Sequence, residues 1–167
     1  MELVKELPGD DNAKAETIEN NLKHEIVKKM SGNPVYYNTM SEMLEDIIAH
    51  RKIEAMSYEE YLRQVVEMAQ AILHPEDDSS YPNEIKDSAA KRAIYDYLER
   101  DLNLSLEIDH AIRISIRPQW HDHFQKQQAI RRSIYDKLIT AKHVEPKVTQ
   151  ETEDLYEIAR RQTEYDQ

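Results

Sequence analysis

The sequence predicts an all-α fold, an irregular bundle of about six to seven helices. Three observations lead there. The 167 residues contain only two glycines, too few for a turn-rich β protein. Apolar residues recur at helical spacing along most of the chain. Capping residues and prolines punctuate those stripes at the intervals helices need.

Residues 1–11 end in Pro-Gly-Asp-Asp, lack periodicity, and read as a linker or an expression remnant. Residues 12–167 read as one helical domain. The first helix is expected from Asn12 to Ser31, with Ile18, Leu22, Ile26 and Met30 on one stripe, a cap at Asp11 or Asn12, and Gly32 as the left-handed stop. Pro34 suits the first turn of a second helix, whose stripe is Tyr37, Met40, Leu44, Ile47 and Ile48 and which should end near Met56. Ser57 with Glu60 forms a capping-box pattern opening a third helix, with Tyr58, Tyr61, Leu62, Val65, Ala69 and Ile72 inward. His74 to Asn83 is a break rich in Pro and Ser.

A fourth helix is expected from about Asp87 to Asp101 on Ala90, Ala93, Ile94, Tyr97 and Leu98. The stretch 104–116 alternates like a strand but also fits a helix through Leu104, Ile108, Ala111 and Ile112. Helix is favoured, because no hairpin turn separates its two apolar triplets. Pro118 ends it. Asp122 is expected to cap a helix to about Thr140 with Phe124, Ile130, Ile134 and Leu138 inward. A last helix, about 149–164, carries only Leu155, Ile158 and Ala159, a thin stripe that suggests a partner surface.

Composition excludes several chemistries. Without cysteine there is no disulfide, thiolate zinc site or cysteine nucleophile. Gly9 and Gly32 lie too far apart for a P-loop or a dinucleotide-binding fingerprint. No apolar run approaches the ~20 residues of a membrane helix, and no signal peptide opens the chain. A soluble, cytoplasmic protein with no membrane partner is expected.

The net charge is −11, unfavourable to a nucleic-acid footprint over the whole surface. The charge is uneven, however. Arg113, Arg117, Lys126, Arg131, Arg132 and Lys137 against Asp122 and Asp136 make the segment 113–137 net +4, leaving −15 elsewhere. A solvated helix face explains this in bland terms; contact with DNA or a partner is the sharper reading. Trp120, flanked by Arg113, Arg117 and Lys126, is the one aromatic placed to stack on a base if its face is open. The other tyrosines near apolar stripes read as core residues with a wet hydroxyl. Arg131 has a competing internal role, lying near the Phe124–Ile134 stripe.

Catalytic patterns are weak. Glu76-Asp77-Asp78 followed by Glu84-Ile85-Lys86 mimics an acid-x-Lys nuclease signature, but in a Pro/Ser/Asn loop that would not hold metal ligands rigidly. His121-Asp122-His123 lacks a third element to complete a metal site. The acidic pairs on α-helical faces show no sign of burial, and no serine sits on a nucleophile elbow. A ligand cleft between helices has no fingerprint. No catalytic or metal residue and no cofactor is expected.

Three stretches nevertheless form a familiar order: TIENNLKHEIVKKMSGNPVYYNTMSEMLEDIIAHRK (17–52), SYEEYLRQVVEMAQ (57–70) and YPNEIKDSAAKRAIYDYLE (81–99). Together they resemble the C-terminal helical region of the restriction (R, motor) subunit of type I restriction–modification enzymes. Trp120, the basic helix after it and the Ile158…Gln162…Tyr165 close extend the resemblance over roughly Ala15 to Tyr165. It implies a C-terminal fragment of an ATP-dependent DNA translocase and site-specific deoxyribonuclease. The motor and nuclease motifs of that subunit lie upstream and are not in this sequence, and ATP and Mg belong to the full-length subunit. The implied role is assembly, docking the motor onto the methyltransferase core of modification and specificity subunits, with auxiliary DNA contact. The alternative is a DNA-binding helical module acting mainly through 113–137. One departure stands out: Gln119 occupies the position where the family places a glycine before the tryptophan.

Overall fold

The computed structural model describes residues 10–141 and 143–166, and the expected linker 1–11 falls outside it up to residue 9. Among the described residues the chain is all-helical, with eight α-helices and no strand. The described residues group into two compact units, one of residues up to Met30 with Tyr36–Asp78, the other of Ser31–Val35 with the residues from Ser79 onward.

The first unit is built on three helices. Helix α1 spans Asp11–Met30. Its cap is Asp10, whose Oδ1 accepts from the Ala13 N–H at 2.9 Å, one residue ahead of the expected Asp11 or Asn12. The buried stripe is Ala15, Glu19, Leu22 and Ile26, leaving Ile18 and Met30 half-buried. Helix α2, Pro34–Lys52, starts on its proline and gathers His50, Arg51 and Lys52 at the end, where the macrodipole favours cations. It stops short of Met56 because Glu54 turns left-handed (φ 55°) and the Ala55 N–H reaches back to His50 O at 3.0 Å. Helix α3, Tyr58–Leu73, is capped as expected, Ser57 Oγ accepting from the Glu60 N–H at 3.2 Å. Tyr61, Val65, Met68 and Ile72 point inward.

Charge is buried in this core with its partners supplied. Glu19 is 5% exposed; it accepts from Arg51 Nε at 2.8 Å and from the Tyr61 hydroxyl at 3.2 Å. Burial, and then the Glu19 charge, push the Tyr61 hydroxyl well above its ordinary value.

The second unit begins with the single turn α4 (Asn83–Lys86) and α5 (Ala89–Tyr97), in place of one helix from Asp87. Ser88 caps α5. Helix α6, Leu102–Ser115, occupies the stretch of ambiguous periodicity. Asp101 caps it through the Leu104 N–H at 3.0 Å, and Leu104, Ile108, Ala111 and Ile112 are buried while Ile114 is 58% exposed. Helix α7, Phe124–Thr140, buries Ile130, Ile134 and Leu138. The expected inward Phe124 is instead 71% exposed: six residues before Ile130, it lies about 120° around the helix from it.

Helix α8, Lys147–Arg160, corrects another expectation. Its stripe is broad: Val148, Thr152, Leu155, Tyr156 and Ala159 are all buried, at helical spacing. The helix starts two residues earlier than the sequence suggests, which adds Val148, and Tyr156 is a core residue. Its own unit covers it, so no external surface is needed to keep it docked. Val148, Leu155, Tyr156 and Ala159 join Ile94, Ile108, Ile112, Trp120, Ile134 and Tyr165 in one apolar cluster.

Candidate functional site

The basic segment of the second unit is largely neutralised by its own chain. Arg113 Nε donates to both Asp109 oxygens at 3.0 Å, Nη2 donates to Glu164 at 3.2 Å, and its guanidinium lies 5.0 Å from the Tyr165 ring centre. The Asp109 hydrogen bond raises its pKa above the ordinary arginine value. Arg131 donates through Nε to Glu153 at 2.9 Å and covers the Tyr156 ring at 3.5 Å, the internal role that competes with an external one. Arg132 pairs with Asp136 at 2.9 Å and Lys137 with Glu107 at 3.2 Å. Arg117 and Lys126 differ: Arg117 donates to the Ile114 and Ile116 carbonyls and Lys126 to the Pro118 carbonyl. Both line one hollow of about 360 Å3 with Ile114 and Gln125.

Trp120 is not an open platform. It is fully buried, and its indole N–H donates to Tyr165 O at 3.0 Å. Its ring stacks on His121 (3.9 Å between centres) and meets the edge of Tyr156 at 6.0 Å. The Tyr165 hydroxyl donates to Asp109 at 2.7 Å. Burial, then the Asp109 charge, push that hydroxyl far above its ordinary value. Glu164 accepts from Ser88 Oγ at 2.6 Å and from the Ala90 N–H at 3.1 Å. Burial alone would raise its pKa. The hydrogen bonds from Ser88, Ala90 and Arg113 outweigh it, so the carboxyl sits below the ordinary range. The arrangement is a clasp closing the core, and it takes Arg113 and Trp120 out of the candidate contact surface.

The nuclease-like string is divided between the two units. Glu76 and Asp77 lie in a 3-10 turn of the first unit and Glu84 is exposed on α4 of the second. His121 hydrogen-bonds Asp166 at 2.8 Å, while His123 precedes α7. Among the described residues no group of three His, Asp or Glu side chains could hold a metal ion, and no helix is long and apolar enough to cross a membrane.

A hollow with a distinctive lining lies in the first unit, between α2 and α3. It encloses about 860 Å3. Met40, Met43 and Ile47 of α2, Met56 of the connection and Met68 of α3 line it, so four of the six methionines in the chain face one groove. Its rim carries Asp46, Glu60 and Glu67. The rim's Arg63 is bridged to Glu60 at 2.6 Å and to Glu67 at 3.7 Å, and His50 hydrogen-bonds the Asp46 carbonyl at 2.8 Å. Met43 is 48% exposed, a large apolar side chain left in water. The sequence reading missed this feature, although Met43 and Met56 off the main stripes were its visible sign.

No protein-family model, curated protein or solved structure matches this chain.

Proposed function

We propose that the chain is a non-catalytic assembly domain, the C-terminal helical part of a type I restriction–modification motor subunit, which docks the ATP-dependent translocase and endonuclease onto the methyltransferase core in the cytoplasm. The single observation that carries the docking half is the methionine-lined groove between α2 and α3. Exposed apolar surface in a concave setting is what a partner covers, and methionine adapts its shape to an incoming side chain. The resemblance of 17–52, 57–70 and 81–99 supplies the partner's identity: the modification and specificity subunits. The broad stripe of α8 removes one reason for expecting a partner surface, so the reading rests on the groove. ATP and Mg belong, in this reading, to the motor part of the subunit.

The test is capture of a purified methyltransferase core by the immobilised chain. Retention at micromolar concentration is the expected result, and absence of retention at that concentration overturns the proposal.

A second reading, direct DNA contact, is favoured at one place. Arg117 and Lys126 share a hollow and have carbonyl partners in place of carboxylates. Arg117→Glu with Lys126→Glu should abolish any duplex binding of the chain at low salt, whereas Arg132→Glu should matter little. Equal effects from both would sink this reading.

A further inference from the structure

The groove in the first unit presents two helical walls and an acidic rim, and each property restricts its occupant. The lining of α3 runs from Glu60 to Ala71, ~17 Å at the helical rise, the length of about three helical turns. Among the described residues the chain has no strand, so the walls offer no sheet edge to pair with an extended peptide. An apolar floor also leaves a bound backbone to satisfy its own N–H and C=O groups. A helix does this internally. The rim places three carboxylates, Asp46, Glu60 and Glu67, around one arginine already bridged to two of them. Its unspent charge is negative, as is that of the whole chain at −11. A second copy of the chain is acidic overall, and most cations of its basic segment 113–137 are already paired with its own carboxylates.

We infer that the groove between α2 and α3 receives a basic amphipathic helix of about three turns, with bulky apolar side chains on the methionines and Lys or Arg against Asp46, Glu60 and Glu67. This deepens the assembly reading and rests on it for the claim that the helix belongs to a partner subunit. Met40 and Met68 are nearly buried and form the floor, while Met43 stands 48% exposed beside it, free to fold over an inserted side chain. The rim steers the encounter and sets the sign of partner accepted.

The test uses the full chain with 13C-methyl methionine and two synthetic 14-residue helical peptides of one pattern, Leu/Lys and Leu/Glu. The Leu/Lys peptide should shift the Met40, Met43, Met56 and Met68 methyl signals saturably and leave Met30 unmoved. The Leu/Glu peptide should bind at least about tenfold more weakly. Asp46→Lys with Glu67→Lys, both at the rim, should weaken the Leu/Lys peptide by a similar factor with the circular dichroism unchanged. Equal binding of the two peptides, shifts that spare the four methionines, or a dimer formed through the groove overturns the inference. Capture of the methyltransferase core serves as the separate arm. If the core is retained equally by the wild-type chain and the Asp46→Lys, Glu67→Lys variant, the inference of a basic helix selected by the rim fails while the assembly reading, which rests on the apolar lining, survives. If the peptide binds as described and the core is not retained, the groove stands and the assembly reading fails.

Discussion

At Gln119 the backbone takes φ 59° and ψ 33°, a left-handed conformation in which a Cβ crowds the carbonyl. The turn needs it to swing Trp120 from the end of α6 into the core. Glycine carries no such penalty, so Gln119→Gly should raise stability by about 1 kcal/mol, read from the urea midpoint. A fall would mean that the side chain has a role the backbone argument omits. Two tyrosines of the same core make a sharper pair. Tyr165 donates to buried Asp109, and Tyr165→Phe should cost about 1–3 kcal/mol. The Tyr156 hydroxyl is buried with no hydrogen-bond partner among the described residues. Tyr156→Phe removes a desolvated group that has no compensating bond, and should leave stability unchanged or slightly raised. Equal losses for the two variants would contradict the assignment of partners.

Between elements, Glu164 ties the C-terminal 3-10 turn to the start of α5 and to Arg113 of α6. Its folded-state carboxyl titrates below the ordinary 4.5, so the native state holds its proton less tightly than the unfolded chain. The resulting stabilisation is complete above the ordinary value and is lost as pH falls through the lower folded one. Thermal unfolding between about pH 5 and pH 3 should therefore depend less steeply on pH in Glu164→Gln than in the wild type. Identical slopes would remove Glu164 from the acid response.

Elements were legible where the code is local. Ser57 caps the helix that follows it as its capping-box pattern suggests, whereas Asp101, read as the end of one helix, caps the next; the helical alternative for 104–116 is correct because Leu104, Ile108 and Ile112 bury while Ile114 does not. What failed was distant. Trp120 sits in a polar string, and its partner Tyr165 comes from 45 residues away. A charge count over 113–137 cannot see Glu107, Asp109, Glu153 or Glu164, which lie outside the window yet pair with its cations. Phe124 was misplaced because a wheel drawn through four residues tolerates an end that drifts from the stripe.

For the whole molecule the charge balance decides how DNA can be met. Of the six cations in the basic segment, only Arg117 and Lys126 lack a carboxylate partner among the described residues. Neutralising two phosphates gives a slope of roughly −1.8 for log K against log salt concentration. A slope several times steeper would show the paired arginines to be released on binding, and would return the basic segment to the centre of the function. The two compact units also divide the labour in this reading: the groove lies wholly in the first, and the cations wholly in the second.

The clasp of Trp120, Tyr165 and Glu164 bears on the order of events at the ribosome. Synthesis is vectorial, and the indole of residue 120 meets its acceptor only after residue 165 has cleared the exit tunnel. The helical hairpins that precede it can form while translation continues. Sealing of this interior waits for the late-emerging tyrosine, so a nascent chain stalled before it would display greasy surface to chaperones.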